Sequence, residues 1–177
     1  IDYDNDGDLD ALITNYGGAI NRFYKNNNGT YLTITTPFTV GGSYLGNCWG
    51  DFDNDGDLDV AFSSESNLQV FLNEGNDLFV QNLLISGASR SITIGDYDED
   101  GDLDFYNSGG GSSRGLYKNI ISNGNNWIQF ILKGTVTNPD ALGTKIKLKA
   151  MINGNPVRMI REINAQNTFN GQNMFRV

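Results

Sequence analysis

The chain of 177 residues is 38% hydrophobic, carries a formal net charge of −9, and contains one cysteine and no histidine. The absence of histidine excludes Ser-His-Asp and Cys-His catalysis and most catalytic zinc sites, and a single cysteine excludes an internal disulfide. The hydrophobic content is sufficient for a core, and 22 glycines with only 3 prolines suit a chain of short strands and many turns.

Acidic residues are concentrated in the first part of the chain. Residues 1–126 hold 19 acidic and 5 basic side chains, whereas residues 127–177 hold 2 acidic and 7 basic ones. The negative charge of the first part disfavours nucleic-acid binding. No apolar run is long enough to span a membrane, so no membrane insertion is predicted. We expect Cys48, which has apolar neighbours, to be a small buried residue and not a reactive one.

Three acidic loops recur along the chain. The first, DYDNDGDLDALI, begins at Asp2; the second, in GDFDNDGDLDVAF, begins at Asp51; and the third, in GDYDEDGDLDFY, begins at Asp96. The period is therefore 49 and then 45 residues, which is typical of a supersecondary repeat. A second motif follows each loop at a nearly constant offset: FYKN, VFLN and LYKN end at Asn26, Asn73 and Asn119. The repeat is therefore a whole structural unit.

Aspartates at loop positions one, three, five and nine, with glycine at position six, predict a short loop that folds around one hard cation. Oxygen-only ligands, several of them charged, favour Ca²⁺ over softer metals, and a flexible cage of many ligands favours it over Mg²⁺. At position seven we expect Asp57 to offer its backbone carbonyl while its side chain faces water. We predict about one Ca²⁺ per loop, three in all, at Asp2, Asp4, Asp6, Asp8, Asp10, Asp51, Asp53, Asp55, Asp57, Asp59, Asp96, Asp98, Asp100, Asp102 and Asp104.

An EF-hand is the main alternative for such a loop, and the sequence disfavours it. An EF-hand requires a bidentate glutamate at position twelve and a helix on each side. Position twelve is occupied by Ile13, Phe62 and Asn107, and the flanking residues are short runs rich in β-branched and aromatic side chains. A calcium loop between two β-strands is therefore the better interpretation.

Each repeat can be divided into four short strands, which in the middle repeat cover residues 44–51, 58–63, 68–73 and 78–82. Four antiparallel strands every 45 or so residues indicate a β-propeller blade. Runs such as ALI and VAF are apolar on both faces, as expected for a strand between neighbouring blades. The predicted fold is all-β, a partial propeller of three blades; a right-handed solenoid of hairpins is the alternative. Because Ile1 stands directly before a loop, we expect further blades upstream.

The acidic loops and their flanks resemble the FG-GAP/VCBS repeat, the calcium-loop blade of integrin α-subunit propellers and of many secreted bacterial proteins. The resemblance covers residues 1 to about 120 and implies blades at about 1–42, 43–86 and 87–125. From about residue 126, the segments NNWIQFIL, ALGTKIKL and VRMIREI resemble the ASPIC/UnbV module, which follows such repeats in cartilage acidic protein-like chains. This second resemblance implies a small β-domain over 126–177, truncated at its C-terminus. Within it, the KIKLKA stretch predicts a half-solvated strand.

The sequence has no constellation of nucleophile, base and histidine, and its calcium loops suit the millimolar Ca²⁺ outside cells, so we expect a non-catalytic, extracellular, calcium-stabilised protein for adhesion or for binding a protein or glycan. It is expected to be secreted or at the cell surface, and the asparagine-rich tracts favour a bacterial origin. We expect ligand contact on the face opposite the calcium loops, with Tyr16, Tyr44 and Arg114 as anchors.

Two other functions remain open at this stage. One is the scaffold of a secreted carbohydrate-active enzyme, which would need two nearby carboxylates among the acids outside the loops, Glu65, Glu74, Asp77, Asp140 and Glu162. The other is a structural subunit or cargo of a surface complex, in which the blades serve only for assembly.

Overall fold

The computed structural model describes residues 1–110, 113–121, 124, 126–136, 138–152, 154–164 and 173. Within these residues the β-strands form four antiparallel sheets, of which none closes on itself. This confirms the predicted fold class, an all-β and partly propeller-like repeat protein.

The middle repeat forms a four-stranded sheet in which each strand pairs with the next one in the chain. The predicted strands agree with the observed ones to within a few residues. The main difference is that the last strand continues beyond residue 82. The strands are β4 (Tyr44–Gly50), β5 (Asp59–Ser64), β6 (Asn67–Asn73) and β7 (Phe79–Ser86).

The first and third repeats each form a sheet of three strands within the described residues, and the middle repeat has all four predicted strands. Residues 122, 123 and 125, which follow the last strand of the third repeat, lie outside the described residues. In the middle and third sheets a strand precedes the acidic loop. The first sheet contains β1 (Ala11–Ile13), β2 (Arg22–Asn27) and β3 (Thr30–Ile34). The third contains β8 (Ile92–Gly95), β9 (Asp104–Asn107) and β10 (Gly115–Tyr117).

Strand β5 lies between two hydrophobic cores, as its doubly apolar sequence predicts. All six of its residues are buried. Val60 and Phe62 belong to a core shared with the first sheet, and Ala61 belongs to a core shared with the third sheet. The first core consists of Tyr3, Phe23, Phe38, Val60, Phe62, Phe71 and Phe79, and the second contains Cys48, Phe52, Ala61, Leu68, Val70, Ile92, Ile94 and Phe105. Because both cores lie between sheets, neighbouring blades stabilise each other.

The C-terminal residues form a hairpin of two long strands, β11 (Lys145–Ile152) and β12 (Asn155–Glu162). Exposure alternates along β11, which confirms the half-solvated strand predicted from KIKLKA. The apolar side of the hairpin contacts the acidic loops: a Cβ atom built on Gly56 would lie 2.6 Å from Ile152 Cδ1 and 3.4 Å from Met159 Sδ. The sequence did not indicate that the hairpin covers this end of the blades.

Candidate metal centres

The first aspartate of each acidic loop organises the loop backbone. In the middle loop, Asp51 Oδ1 accepts the N–H of Asp55 and Asp51 Oδ2 accepts the N–H of Gly56, both at 3.0 Å. Asp2 and Asp96 accept the corresponding pair of hydrogen bonds in the first and third loops. The turn places Gly56 at φ +100°, which explains why position six is glycine.

The aspartate at position nine connects each loop to the asparagine that ends the second motif. Asp59 is fully buried, and its two oxygens accept the N–H of Phe52 at 2.7 Å and the N–H of Asn73 at 2.8 Å. Asp10 accepts equivalent bonds from the N–H groups of Tyr3 and Asn26. Asp104 accepts them from the N–H groups of Tyr97 and Asn119. Sequence reasoning detected the constant offset of this asparagine but assigned it no role.

The side chains of the same asparagines connect neighbouring loops. Asn73 Nδ2 donates to the carbonyl of Leu58 in its own loop at 3.2 Å and to the carbonyl of Tyr3 in the first loop at 3.1 Å. Asn119 Nδ2 donates in the same way to the carbonyl of Phe52 in the middle loop at 2.6 Å. The three loops therefore form one hydrogen-bonded series along the edge of the blades.

The position-seven aspartates take part in a second connection between loops. Asn5 Nδ2 donates to Asp57 Oδ1 at 3.0 Å, and Asn54 Nδ2 donates to Asp102 Oδ1 at 2.7 Å. The prediction that the Asp57 side chain faces water is therefore wrong, because this side chain is half-buried and bonded to the preceding loop. In the first loop, Asp8 accepts the backbone N–H of Asn28 at 2.8 Å.

Each loop brings three carboxylates together closely enough to hold a metal ion. One oxygen from each member of a group lies within 4.8 Å of the others. The groups are Asp2, Asp4 and Asp6; Asp51, Asp53 and Asp59; and Asp96, Asp98 and Asp104. Of the fifteen predicted residues, the six that lie outside these groups are Asp8, Asp10, Asp55, Asp57, Asp100 and Asp102.

A lysine offsets part of the negative charge in two of the three loops. Lys25 Nζ lies 2.8 Å from Asp4 Oδ2 in the first loop. Lys118 pairs with Asp98 and lies 3.0 Å from Asp100 Oδ2 in the third loop, where it lowers the pKa of Asp100. Each lysine directly precedes the asparagine of the second motif, in the FYKN and LYKN segments, but the sequence alone did not indicate that it contacts the loop.

The middle loop combines strong burial with a high density of carboxylates. Burial raises the pKa of Asp51 and of Asp53 to about 6, and it raises the pKa of Asp59 to about 8. The guanidinium of Arg161 on β12 approaches this loop and donates from Nη2 to the carbonyl of Gly56 at 3.2 Å. A bound cation would favour the charged form of these carboxylates, which burial alone disfavours.

The donor atoms of the loops fit a hard divalent cation. The available side-chain ligands are carboxylate oxygens, the type that such ions prefer. In the first loop, Asp4 Oδ2 contacts Lys25, while Asp4 Oδ1 is buried and has no hydrogen-bond partner among the described residues. A buried carboxylate oxygen without a partner is costly unless a cation or a donor compensates it.

The other end of the strands contains the residues predicted to contact a ligand. Tyr16 is 60% exposed, and its hydroxyl donates to Glu65 Oε1 of the next repeat at 2.8 Å. Arg114 is also exposed. Tyr44 is half-buried, and its ring packs against Phe62 with the centroids 5.7 Å apart, so it serves largely in packing.

Three acidic loops, of which the second and third each join two strands of an antiparallel sheet, define a repeat protein of the β-propeller type. A family model described as FG-GAP-like repeat matches residues 2–62 and 51–107, and the chain therefore belongs to this family, whose repeats form integrin-like propeller domains and are typical of extracellular proteins. Searches of curated proteins and of solved structures gave no significant match. Within the described residues, no helix is long and apolar enough to cross a membrane.

Proposed function

We propose that this chain is part of a non-catalytic, extracellular β-propeller protein that binds one Ca²⁺ in each of its three acidic loops and mediates adhesion or the binding of a protein or glycan. The observation that carries this proposal is the threefold grouping of carboxylates within 4.8 Å. Calcium is preferred because oxygen-only, multiply charged, flexible loops suit it, and millimolar concentrations outside cells can saturate even weak sites of this type. Membership of the FG-GAP-like family supports the extracellular location.

The calcium proposal is tested by isothermal titration calorimetry of the full chain after removal of divalent ions. We expect three Ca²⁺ per chain and much weaker binding of Mg²⁺. Asp53→Asn should remove one Ca²⁺ from the stoichiometry, because Asp53 belongs to the middle group. Asp140→Asn changes the net charge equally, lies outside the loops, and should leave three. A titration without saturable Ca²⁺ binding would refute the proposal.

The ligand-binding face is proposed to lie at the strand ends that contain Tyr16, Glu65 and Arg114. Its support is the exposed Tyr16 ring, which is held by Glu65 across the boundary between two repeats. Rigid, exposed aromatic side chains are frequent anchors in protein interfaces.

This part of the proposal is tested on a glycan array and by pull-down with surface proteins. Tyr16→Ala should weaken binding of a recovered ligand at least about tenfold, the effect of a binding anchor. Tyr31→Ala is the matched control, because Tyr31 is 56% exposed and lies at the calcium-loop end near Leu9. Equal losses for the two variants would exclude the proposed face.

For the C-terminal region we propose an ASPIC/UnbV-like module. The β11–β12 hairpin, with eight residues in each strand, supports a β-structure there. Its contact with Gly56 further suggests that this module shields the proposed calcium sites from solvent.

A further inference from the structure

We propose that the strand ends opposite the acidic loops bind an acidic polysaccharide, whose carboxylate or sulfate groups pair with Arg22, Arg90 and Arg114. Together with Tyr16 and Glu65, these residues form the arginine face. The inference rests on the proposed ligand-binding function of this end of the strands and adds the chemical class of the ligand.

All three arginines lie at strand ends that are remote from the acidic loops. Arg22 begins β2 and pairs with Ile13, the last residue of β1, and β1 starts directly after the first loop. Arg90 precedes β8, which ends at the third loop, and Arg114 precedes β10 beside the far end of β9. Each arginine is exposed, and none makes an ion pair with another described residue.

Hydrogen bonds hold the first-repeat part of the arginine face in place against the middle repeat. The N–H of Asn15 donates to Asn21 Oδ1 at 2.8 Å, which closes the turn that has Tyr16 near one end and Arg22 at the other. The Tyr16 hydroxyl donates to Glu65 Oε1 at 2.8 Å. The turn of the first repeat is therefore joined to the β5–β6 turn of the middle repeat.

A second set of hydrogen bonds joins the β5–β6 turn to the segments of the other two arginines. The N–H of Ser89, directly before Arg90, donates to the carbonyl of Ser64 at 2.8 Å. Ser113 Oγ, directly before Arg114, donates to the carbonyl of Ala88 at 2.7 Å. The arginine face is therefore one continuous surface across the three repeats.

Charge is strongly separated between the two ends of the repeats. Of the 19 acidic residues in 1–126, sixteen lie within the three acidic loops. Glu74 and Asp77 follow β6 at the loop end, where Asp77 lies 3.2 Å from Lys25 Nζ. Among the described residues, Glu65 is therefore the single acid at the other end, against three arginines. A local excess of positive charge attracts anionic ligands, even on a protein whose net charge is −9.

The side chains of the arginine face suit an acidic sugar better than an acidic peptide. A guanidinium presents a planar fork of N–H donors that matches carboxylates and similar oxyanions. The ring of Tyr16 is 60% exposed and can cover the apolar side of a sugar ring, and Arg90 interacts with Tyr16 electrostatically. The neighbouring turns, SESN at 64–67 and SGG at 108–110, offer little of the apolar area found at the centre of protein interfaces.

Calorimetric titration of the full chain in saturating CaCl₂ tests the class of ligand. The acidic probes are hyaluronate, which carries carboxylates, and chondroitin sulfate, which carries carboxylates and sulfates. Dextran, polyglutamate and single-stranded DNA represent a neutral glycan, an acidic peptide and a nucleic acid. We expect at least one acidic polysaccharide to bind at least about tenfold more tightly than these three, and added NaCl to weaken its binding by screening. A disaccharide of the same polymer should bind at least about tenfold more weakly, because it cannot reach several arginines at once.

Variants of the arginine face test the location of the site. Arg22→Gln, Arg90→Gln and Arg114→Gln should each weaken binding of the acidic polysaccharide about tenfold, because each removes a charged hydrogen-bond donor. Arg114→Lys keeps the charge without the planar fork and should lose less than Arg114→Gln. Glu65→Gln keeps an acceptor for the Tyr16 hydroxyl but removes the acid of this face, so it should tighten binding about threefold.

Lys147→Met is the charge control, since Lys147 is exposed on β11 and its loss changes the net charge as much as each arginine variant does. It should alter binding by less than about twofold. The inference is overturned if neither acidic polysaccharide binds, if polyglutamate, DNA or dextran binds as tightly, or if the arginine variants bind like the original protein. In each case, Tyr16-dependent binding of a protein or neutral glycan would leave the proposed function intact, whereas loss of that binding too would overturn both.

Discussion

Replacing Asp59 with alanine is expected to lower the free energy of unfolding by about 4 kcal/mol, since two buried N–H donors lose their acceptor and each such loss costs about 1–3 kcal/mol. Asp59 is fully buried and accepts from Phe52 and Asn73, so it joins the start of the loop to the end of β6. It also belongs to the middle carboxylate group, so the variant should lose the calcium site as well. Urea denaturation in saturating calcium measures the difference.

Two further variants show whether the Asp59 effect depends on its hydrogen bonds. Asp59→Asn keeps the size and one acceptor oxygen and should be less destabilising than alanine. Asp140→Ala removes an exposed acid outside the loops and should change stability by less than about 0.5 kcal/mol. A loss below about 1 kcal/mol for Asp59→Ala would contradict a structural role for the position-nine carboxylate, because a single lost hydrogen bond already costs about that much.

Replacing Phe38 with alanine is expected to cost about 3–5 kcal/mol, the usual range for truncating a buried phenylalanine. Phe38 follows β3 and is fully buried between the first and middle sheets. Its ring contacts the rings of Phe62, Phe71 and Phe79 in the middle repeat and that of Phe23 in the first, with centroids 5.0–5.7 Å apart. The cavity would therefore open between two blades, and urea denaturation again gives the measurement.

Urea denaturation with and without calcium should distinguish the loss of stability in Phe38→Ala from that in Asp59→Ala. Because Phe38 belongs to the aromatic core and Asp59 to a carboxylate group, Phe38→Ala should be equally destabilising with calcium and with a chelator, whereas Asp59→Ala should cost more in calcium. Phe38→Leu fills most of the cavity and should cost less than about 1.5 kcal/mol. A Phe38→Ala protein as stable as the original would mean that the blades do not depend on this aromatic core.

The loops and the middle sheet could be predicted because their determinants are close together in the chain. The alternate aspartates and glycine around Asp51 form a turn through bonds that span four or five residues, such as Asp55 N–H to Asp51 Oδ1. Likewise, the apolar VAF run in β5 indicated burial on both faces, and the structure buries Val60, Ala61 and Phe62 completely.

The contacts between repeats could not be predicted, since they join residues about fifty or more positions apart. The sequence predicts that the Asp57 side chain faces water. Its hydrogen bond to Asn5 could not be foreseen, because Asn5 belongs to the preceding loop. The packing of Ile152 on Gly56 joins the C-terminal hairpin to the middle loop across nearly a hundred residues. The second motif was visible as a regularity, but the function of Asn73 depends on the position of Tyr3 in a different sheet.

The burial of Cys48 has a consequence for the chemistry of this chain. Cys48 is 1% exposed in the core between the middle and third sheets, and burial raises the pKa of its thiol to about 12. Because the thiolate is the reactive form, oxidants and alkylating reagents can modify this sulfur only after the two sheets separate. The rate of its modification therefore measures how often that boundary opens, and intact molecules remain protected from covalent cross-linking to one another.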